Sequence, residues 1–234
     1  MKEILSKSTF GTQIWVAEGI YLPTQNNDRT ESFVIPDGVQ LFGGFEGHET
    51  HLNQRKPTYH LTILSGEIGS PILEDNSCNV IRTQQVSSAT IVDGFHISRG
   101  YALERKMPMG HPNRSGGGWY NDGSNGSSNP TIRNCFFSEN TAVDGGAIYN
   151  NSKNGRCDLN ISNCSFIQNI AYSDGGAIYY DCGITKPGKS RFKNCFFSRN
   201  EGQNGAAIFN YNTKGNDGLT IENSQFSQNE ALSR

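Results

Sequence analysis

Two acidic residues stand at equivalent places in the second half of this sequence and could bind a cation. Asp144 and Asp174 each precede a glycine, thirty residues apart, and Asn204 takes the third such place. Stacked carboxylates could share a calcium ion, which prefers several oxygen ligands. Asp-Gly is also an ordinary turn pair. We favour the turn, because only two carboxylates align and the spacing lacks a calcium-loop pattern.

A column of aromatic residues follows the same glycines and could bind a ligand. Its members are Tyr120, Tyr149, Tyr179 and Phe209. Stacked rings stabilise neighbouring strands, and we favour that role. Exposed aromatic patches also mark binding faces, for sugar rings or for a partner protein. If this chain binds a ligand, we expect the site around Tyr149 and Tyr179.

The remaining reactive side chains form no catalytic set. The five histidines show no ligand spacing, no Asp-Asp pair occurs, and we expect no cofactor other than a possible calcium ion. Buried small hydrophobes are the simplest reading of Cys135, Cys164 and Cys195. Cys157 and Cys182 follow similar strands on adjacent units and could form a disulfide if the protein is exported.

A repeat of about thirty residues must position these side chains. Aligned at the Asn-Cys pairs, four units begin TIRNCFFSEN, NISNCSFIQN, RFKNCFFSRN and TIENSQFSQN. Each unit holds short stretches of period two broken by turn residues, and no helical spacing persists. Short strands, glycine corners and a unit of this length predict an all-β fold, the right-handed parallel β-helix or β-solenoid, with one coil per unit.

Stacked coils place equivalent residues in columns about 4.8 Å apart. Period two puts the column that contains Trp119 and Ile148 in the core and the tyrosine column outside. Asparagines are expected to fill one corner, where Asn tolerates left-handed backbone and can bond to adjacent turns. Positive φ is expected at Gly145, Gly175 and Gly205. Three further columns are predicted to face the core: Ile132, Ile161, Phe192 and Ile221; Cys135, Cys164, Cys195 and Ser224; Phe137, Phe166, Phe197 and Phe226.

The repeat divides the chain into irregular coils over residues 1–88 and regular coils over residues 89–234. Strands are predicted within Ile14–Thr24, Ser32–Gly47, Leu61–Gly69 and Ala89–Gly100, and the last resembles a divergent copy of the repeat. Residues 101–115 are predicted to form a loop between two coils. The fourth unit stops before its glycine corner, so we expect an uncapped end, a fragment of a longer helix, or end-to-end association.

Bulk composition excludes some function classes. The net charge of −2 gives no general attraction to nucleic acid or anionic lipid. No apolar run could span a membrane. The first residues lack the apolar stretch of a signal peptide, so either the protein is not exported or a signal lies outside this sequence.

The motif pair F-x-x-N and G-G-A-I resembles the repeat of the chlamydial polymorphic outer membrane proteins. It occurs at Phe137–Asn140 with Gly145–Ile148 and at Phe166–Asn169 with Gly175–Ile178, and the later copy reads Gly205-Ala206-Ala207-Ile208. The N-terminal part resembles pectin-lyase-like bacterial surface proteins. The resemblance implies a parallel β-helix, a place outside the cell or on its outer surface, and adhesion.

We therefore expect an adhesion, binding or scaffolding module whose partner is a carbohydrate or a surface protein of a host or neighbouring cell. The alternative is a polysaccharide lyase or glycoside hydrolase of the pectin-lyase-like fold, by analogy of fold alone. Arg191-Phe192-Lys193 matches the Arg-x-Lys of such hydrolases. The repeat register explains both basic residues as outward neighbours of core Phe192. We expect no catalytic residue.

Overall fold

The computed structural model describes residues 1–182, 189–212 and 218–232, and these form a right-handed parallel β-helix. One helix, α1 (Lys2–Lys7), precedes the strands, and 3-10 turns lie at Leu52–Gln54 and Leu73–Asp75. The strands are β1 (Gln13–Ala17), β2 (Gly19–Tyr21), β3 (Phe33–Val34), β4 (Gln40–Phe45), β5 (Thr62–Ser65), β6 (Ile81–Gln84), β7 (Ile91–Asp93), β8 (His96–Ser98), β9 (Tyr101–Ala102), β10 (Trp119–Asp122), β11 (Thr131–Arg133), β12 (Phe136–Ser138), β13 (Thr141–Ala142), β14 (Ile148–Asn151), β15 (Asn160–Ser162), β16 (Ser165–Ile167), β17 (Ile170–Ala171), β18 (Ile178–Cys182), β19 (Arg191–Lys193), β20 (Phe196–Ser198), β21 (Glu201–Gly202), β22 (Ile208–Asn212), β23 (Thr220–Glu222), β24 (Gln225–Ser227) and β25 (Glu230–Ala231).

Four parallel sheets, named A, B, C and D, run along the solenoid. Along the chain, a regular coil contributes one strand to sheet A, then one each to sheets B, D and C. Sheet A has the order β1-β4-β7-β11-β15-β19-β23, and sheet B has the order β2-β5-β8-β12-β16-β20-β24. Sheet D consists of β9, β13, β17, β21 and β25, and sheet C consists of β3, β6, β10, β14, β18 and β22. The predicted fold class is confirmed.

The core is a set of side-chain ladders in the predicted register. Phe137 pairs with Phe166 and Phe166 with Phe197, and all three side chains are fully buried. Successive rings from Phe137 to Phe226 stack with centroids 4.8–4.9 Å apart. The columns of Ile132 and Cys135 also face inward as predicted. Because the same residue type recurs at the same place, each coil fits on the previous one without a change of geometry.

The inner asparagine ladder forms as predicted, but the left-handed backbone lies one residue earlier. Asn140 and Asn169 are fully buried, and Nδ2 of Asn140 donates to Oδ1 of Asn169 at 3.0 Å. Positive φ occurs instead at Glu139 (54°) and Gln168 (56°). The chain turns at the preceding residue, whose side chain points to solvent, and the turn aims the asparagine amide inward. Asparagine is therefore selected here for its hydrogen bonds.

The glycine corners and the divergent coil are also confirmed. Gly145 has a φ of +65°, and a Cβ there would lie 2.3 Å from the carbonyl oxygen of Ile148. Strand β11 pairs with β7, and β12 pairs with β8, so Ala89–Gly100 is one coil of the repeat. The sequence reading missed β6, in which buried Ile81 and Thr83 alternate with Arg82 and Gln84.

The two ends of the described solenoid differ. At the first end α1 packs beside β3 and buries Leu5, an element that the sequence reading did not predict. At the other end the side chains of Ile221 and Phe226 are 42% and 49% exposed. In the described residues, each of these side chains is therefore the most exposed member of its core column. End-to-end association stays a prediction.

Candidate functional site

The predicted aromatic column forms on the outer face of sheet C. Tyr120 pairs with Tyr149, Tyr149 with Tyr179, and Tyr179 with Phe209. The three tyrosine rings stack, with centroids 5.9 and 4.8 Å apart. Trp119, on the opposite face, is fully buried in the core. The assignment of inward and outward columns is confirmed.

The aromatic column is covered and does not form an exposed patch. Tyr149 and Tyr179 are fully buried, Tyr120 is 5% exposed, and only Phe209 is partly exposed. The loop of residues 103–114 folds back over the rings, and the Tyr120 hydroxyl donates to the Gly110 carbonyl at 2.5 Å. The predicted loop of residues 101–115 does lie between two coils, but Tyr101 and Ala102 form β9 and pair with β13. The sequence did not show where the rest of the loop packs. A binding role for these four residues stays a prediction.

The tyrosine hydroxyls of the column form hydrogen bonds with polar side chains of the neighbouring coils. The Tyr149 hydroxyl donates to Oδ2 of Asp181 at 3.3 Å, and Nδ2 of Asn151 donates to the Tyr120 hydroxyl at 2.9 Å. Burial raises the pKa of Asp181 and the pKa of Tyr149, because both charged forms would lose their hydration. The phenol therefore stays protonated and acts as a donor.

The acidic column holds an ion pair. The Asp144 side chain is fully buried, and its Oδ2 accepts from Nε of Arg114 at 2.9 Å. Burial raises its pKa, and nearby Asp174 adds to that effect. Oδ1 of Asp174 accepts from Asn204 Nδ2 at 2.7 Å. Among the described residues no group of three or more His, Cys, Asp or Glu could hold a metal ion. Calcium at Asp144 and Asp174 stays an untested prediction.

The other reactive residues occupy the places that the repeat predicts. The Arg191 side chain is 56% exposed and pairs with Glu222, while Phe192 is fully buried. Cys157 is buried as a free thiol, with its Sγ 3.1 Å from the Asn151 carbonyl oxygen. The predicted Cys157–Cys182 disulfide involves a side chain outside the described residues.

The structure contains a groove that the sequence reading missed. It measures about 730 Å³ and lies between the loop of residues 46–61 and the corners that join sheet A to sheet B. It lies within the range typical of ligand pockets. Its lining consists of Leu52, Asn53, Arg55, Pro57, Thr58, Leu61, Thr62, Gly94, Phe95, His96, Asn134, Cys135, Phe136, Asn163 and Ser165.

Two rings from adjacent coils line the groove on the sheet B side. His96 and Phe136 pair across β8 and β12, with ring centroids 4.7 Å apart in an edge-to-face arrangement. His96 Nε2 lies 2.7 Å from Ser138 Oγ, which fixes the imidazole plane. Burial lowers the pKa of His96 below its ordinary value of 6.5, so the ring is neutral at neutral pH. The rings present an uncharged aromatic surface.

A buried ion-pair network holds the loop wall in place. Nη2 of Arg55 lies 2.7 Å from Oδ1 of Asp93, whose side chain is 1% exposed. Arg133 Nε contacts the other carboxylate oxygen at 2.5 Å, and Asn134 Nδ2 donates to Oδ1 at 2.8 Å. The Arg55 guanidinium also lies 5.3 Å from the centroid of Phe42. The arginine in the lining is thus ion-paired and held in place.

Exposed amides form a ladder, of which Asn134 and Asn163 lie at the rim of the groove. Asn134, Asn163 and Asn194 stand at the sheet A to sheet B corner of successive coils, each with a left-handed φ between 52° and 54°. Nδ2 of Asn163 donates to Oδ1 of Asn134 at 3.2 Å, and Asn194 donates to Asn163 at 3.0 Å. This outer asparagine ladder continues past the groove. A signal for it existed in the sequence, since these three residues are the asparagines of the Asn-Cys pairs that align the repeat.

The fold defines the chain as a β-helical repeat protein, and a comparison with family models makes this more specific. The model of the Chlamydia polymorphic membrane protein repeat matches residues 134–151 and 163–181. Both matches begin at an outer-ladder asparagine and run to the sheet C strand, one coil apart, so the predicted resemblance is confirmed. The repeat indicates a bacterial surface protein. No curated protein and no solved structure matches the chain. In the described residues, no helix has the length and apolar character needed to cross a membrane.

Proposed function

We propose that this chain is an adhesion or binding module at a bacterial surface, and that its groove binds carbohydrate. The observation that carries the proposal is the pairing of an aromatic surface, His96 and Phe136, with the amide rim of Asn134 and Asn163 in one groove. Sugar rings have apolar faces that pack on aromatic rings and polar edges that bond to amides. Apolar walls with a few convergent polar groups are typical of ligand pockets.

Arg55, the only charged side chain in the described lining of the groove, is already paired with Asp93, which Arg133 shares. His96 is neutral at neutral pH because burial lowers its pKa. No Asp or Glu occurs in the described lining. Glycoside hydrolysis normally uses a pair of carboxylates that flank the scissile bond. These features support binding over cleavage, and the lyase or hydrolase alternative has no residue in the groove that favours it.

The repeat itself supplies a matched pair of variants for the test. Phe136 and Phe196 occupy the same outward column of sheet B, on coils separated by one other, and both are partly exposed. Only Phe136 lines the groove. Phe136→Ala and Phe196→Ala therefore remove equivalent rings inside and outside the site, with similar consequences for folding.

The experiment screens the purified chain against an array of short neutral mono- and disaccharides and measures affinity by titration calorimetry. We expect a hit that Phe136→Ala weakens about tenfold, the scale of one lost aromatic contact, and that Phe196→Ala leaves unchanged. Equal loss in both variants would show that the groove is not the site. Binding to no glycan, together with specific binding to a surface protein through Phe136, would replace carbohydrate by protein as the ligand class.

A further inference from the structure

We propose that the groove opens onto a track along the solenoid, and that its ligand is a linear N-acetylated glycan lying parallel to the solenoid axis. This inference rests on the proposed function, because the groove supplies the contacts to the first sugars. The track consists of the outward column Phe136, Ser165 and Phe196 and the outer asparagine ladder beside it.

Over three successive coils, the outward column of sheet B carries a ring, a small residue and a ring. Phe136, Ser165 and Phe196 pair in register on three successive coils. Two coils rise about 10 Å, twice the spacing of neighbouring strands. A β-1,4-linked glycan turns over at each sugar and so presents the same face on every second one. Rings on alternate coils with a hydroxyl between them match that alternation.

The asparagine ladder offers hydrogen-bonding groups at every coil. A primary amide has two N–H donors and an oxygen with two lone pairs. Asn163 uses one N–H toward Asn134 and accepts one bond from Asn194. One donor and one acceptor position on the Asn163 side chain therefore face outward, since this residue is exposed. An acetamido group carries one N–H and one C=O, which is the complementary pair.

The side chains of the track make contacts that an N-acetylated sugar can use. Arg55, the charged side chain of the described groove lining, is held by buried Asp93, which Arg133 shares. The ladder amides and Ser165 are uncharged. An acidic polysaccharide would gain no unpaired cation in this lining, whereas an acetamido group brings a methyl that can pack on Phe136 or Phe196.

The test measures how affinity depends on chain length. The probes are β-1,4-linked N-acetylglucosamine oligomers from the disaccharide to the hexasaccharide, titrated calorimetrically into the wild-type chain. We expect an affinity gain of about tenfold over the series, the scale of one added aromatic contact. Phe196→Ala should abolish that gain and leave the affinity for the disaccharide unchanged.

A second variant tests the amides without straining the backbone. Asn194 has a φ of 54°, and Gly94, at the equivalent corner of an earlier coil, has a φ of 84°. Asn194→Gly therefore repeats a residue that the chain already accepts at this corner. We expect it to reduce hexasaccharide affinity by several-fold and to leave disaccharide affinity unchanged.

Any other result of these titrations contradicts a specific part of the inference. Equal affinity at all lengths removes the track and leaves the groove as a site for short sugars. Glucose oligomers without acetamido groups that bind as tightly as the N-acetylated series overturn the proposed ligand class. No binding of any N-acetylglucosamine oligomer overturns the whole inference. The proposed function still stands in that case if another sugar binds and Phe136→Ala weakens it.

Discussion

Sheets B and C both carry a column of aromatic residues on their outer faces, and the two columns end in different environments. On sheet C, Tyr149 and Tyr179 are fully buried beneath the loop of residues 103–114. On sheet B, Phe136 and Phe196 keep part of their surface exposed, and Phe136 lines a groove. The repeat produces both columns by the same period-two rule. The loops decide which column is available to a ligand.

Both loops are tied to the coils by the same device. Arg114 reaches from the loop over sheet C to buried Asp144, and Arg55 reaches from the groove wall to buried Asp93. Asp93 has two further partners, Arg133 and Asn134, whereas Oδ1 of Asp144 has no hydrogen-bond partner. The loop over sheet C therefore depends more strongly on one arginine than the wall of the groove does.

The largest effect is expected from removing the loop over sheet C. Excising residues 104–114 joins Leu103 directly to Ser115, and the equivalent residues of the next coil, Val143 and Asp144, are joined in the same way. The deletion also removes Arg114 and leaves the Asp144 carboxylate without its cation. The variant therefore includes Asp144→Asn, since Asn204 is the residue at the equivalent position of a later coil. Tyr149 and Tyr179 then lose their cover, and each aromatic side chain that becomes exposed lowers the free energy of unfolding by about 1.5–3 kcal/mol. We expect the unfolding free energy to fall by about 4 kcal/mol in urea titrations. Unchanged protection of Tyr149 from iodination would show that the loop does not cover it.

Tyr149→Ala should cost about 3–5 kcal/mol, the range for a fully buried large aromatic side chain. Phe136→Ala should cost about 1 kcal/mol, because its ring is partly exposed and leaves no closed cavity. Phe166→Ala, in the core ladder, serves as the reference for the loss of unfolding free energy at a fully buried aromatic side chain. Equal losses at Tyr149 and Phe136 in chemical denaturation would contradict the difference between the two sheets.

Arg114→Ala should lower the unfolding free energy by about 3 kcal/mol, since it leaves a buried carboxylate without its cation. Arg55→Ala should cost about half as much, because Asp93 retains Arg133 and Asn134. Adding Asp144→Asn to Arg114→Ala should recover part of the loss. A larger loss for Arg55→Ala than for Arg114→Ala in thermal or urea unfolding would reverse the comparison of the two anchors.

The smallest effect is a pair of pH dependences with opposite sign. Burial raises the pKa of Asp181 above 3.8, so the folded state binds more protons there, and stability falls as pH rises through the raised pKa. Burial lowers the pKa of His96 below 6.5, so stability falls as pH drops through 6.5. Asp181→Asn should reduce the first slope, following Asn151 in the same column. The remaining slope is expected from Asp144, whose pKa burial also raises.

His96→Phe should remove the second slope, following Phe136 in the paired strand. Unfolding free energies of these two variants and the wild type at a series of pH values from 3 to 8 provide the measurement. A wild-type slope near pH 6.5 that persists in His96→Phe would assign it to another group. A slope at lower pH that is unchanged in Asp181→Asn would show that Asp181 does not contribute to it.

Sequence reasoning reached the ladders because they repeat. Phe137, Phe166 and Phe197 recur with the same neighbours, so one register assignment fixes every coil. It failed at Asn140, where the residue type indicated left-handed backbone that Glu139 adopts instead. It missed α1, because a six-residue helix with one buried leucine has no periodic signal of its own. Sequence reasoning predicted the outer aromatic column of sheet C but did not predict that a loop buries it.

The sequence by itself determined the β-helix, the inward and outward faces of its strands, and the repeat that indicates a bacterial surface protein. These features depend on contacts between residues about thirty positions apart, which the repeat makes visible. The tertiary structure alone decided that residues 103–114 cover one aromatic column and that residues 46–61 form a wall beside another. Each loop occurs once and packs through a single arginine on an aspartate at least thirty positions away. A contact that occurs once leaves no periodic pattern in the sequence, so the groove was visible only in the three-dimensional structure.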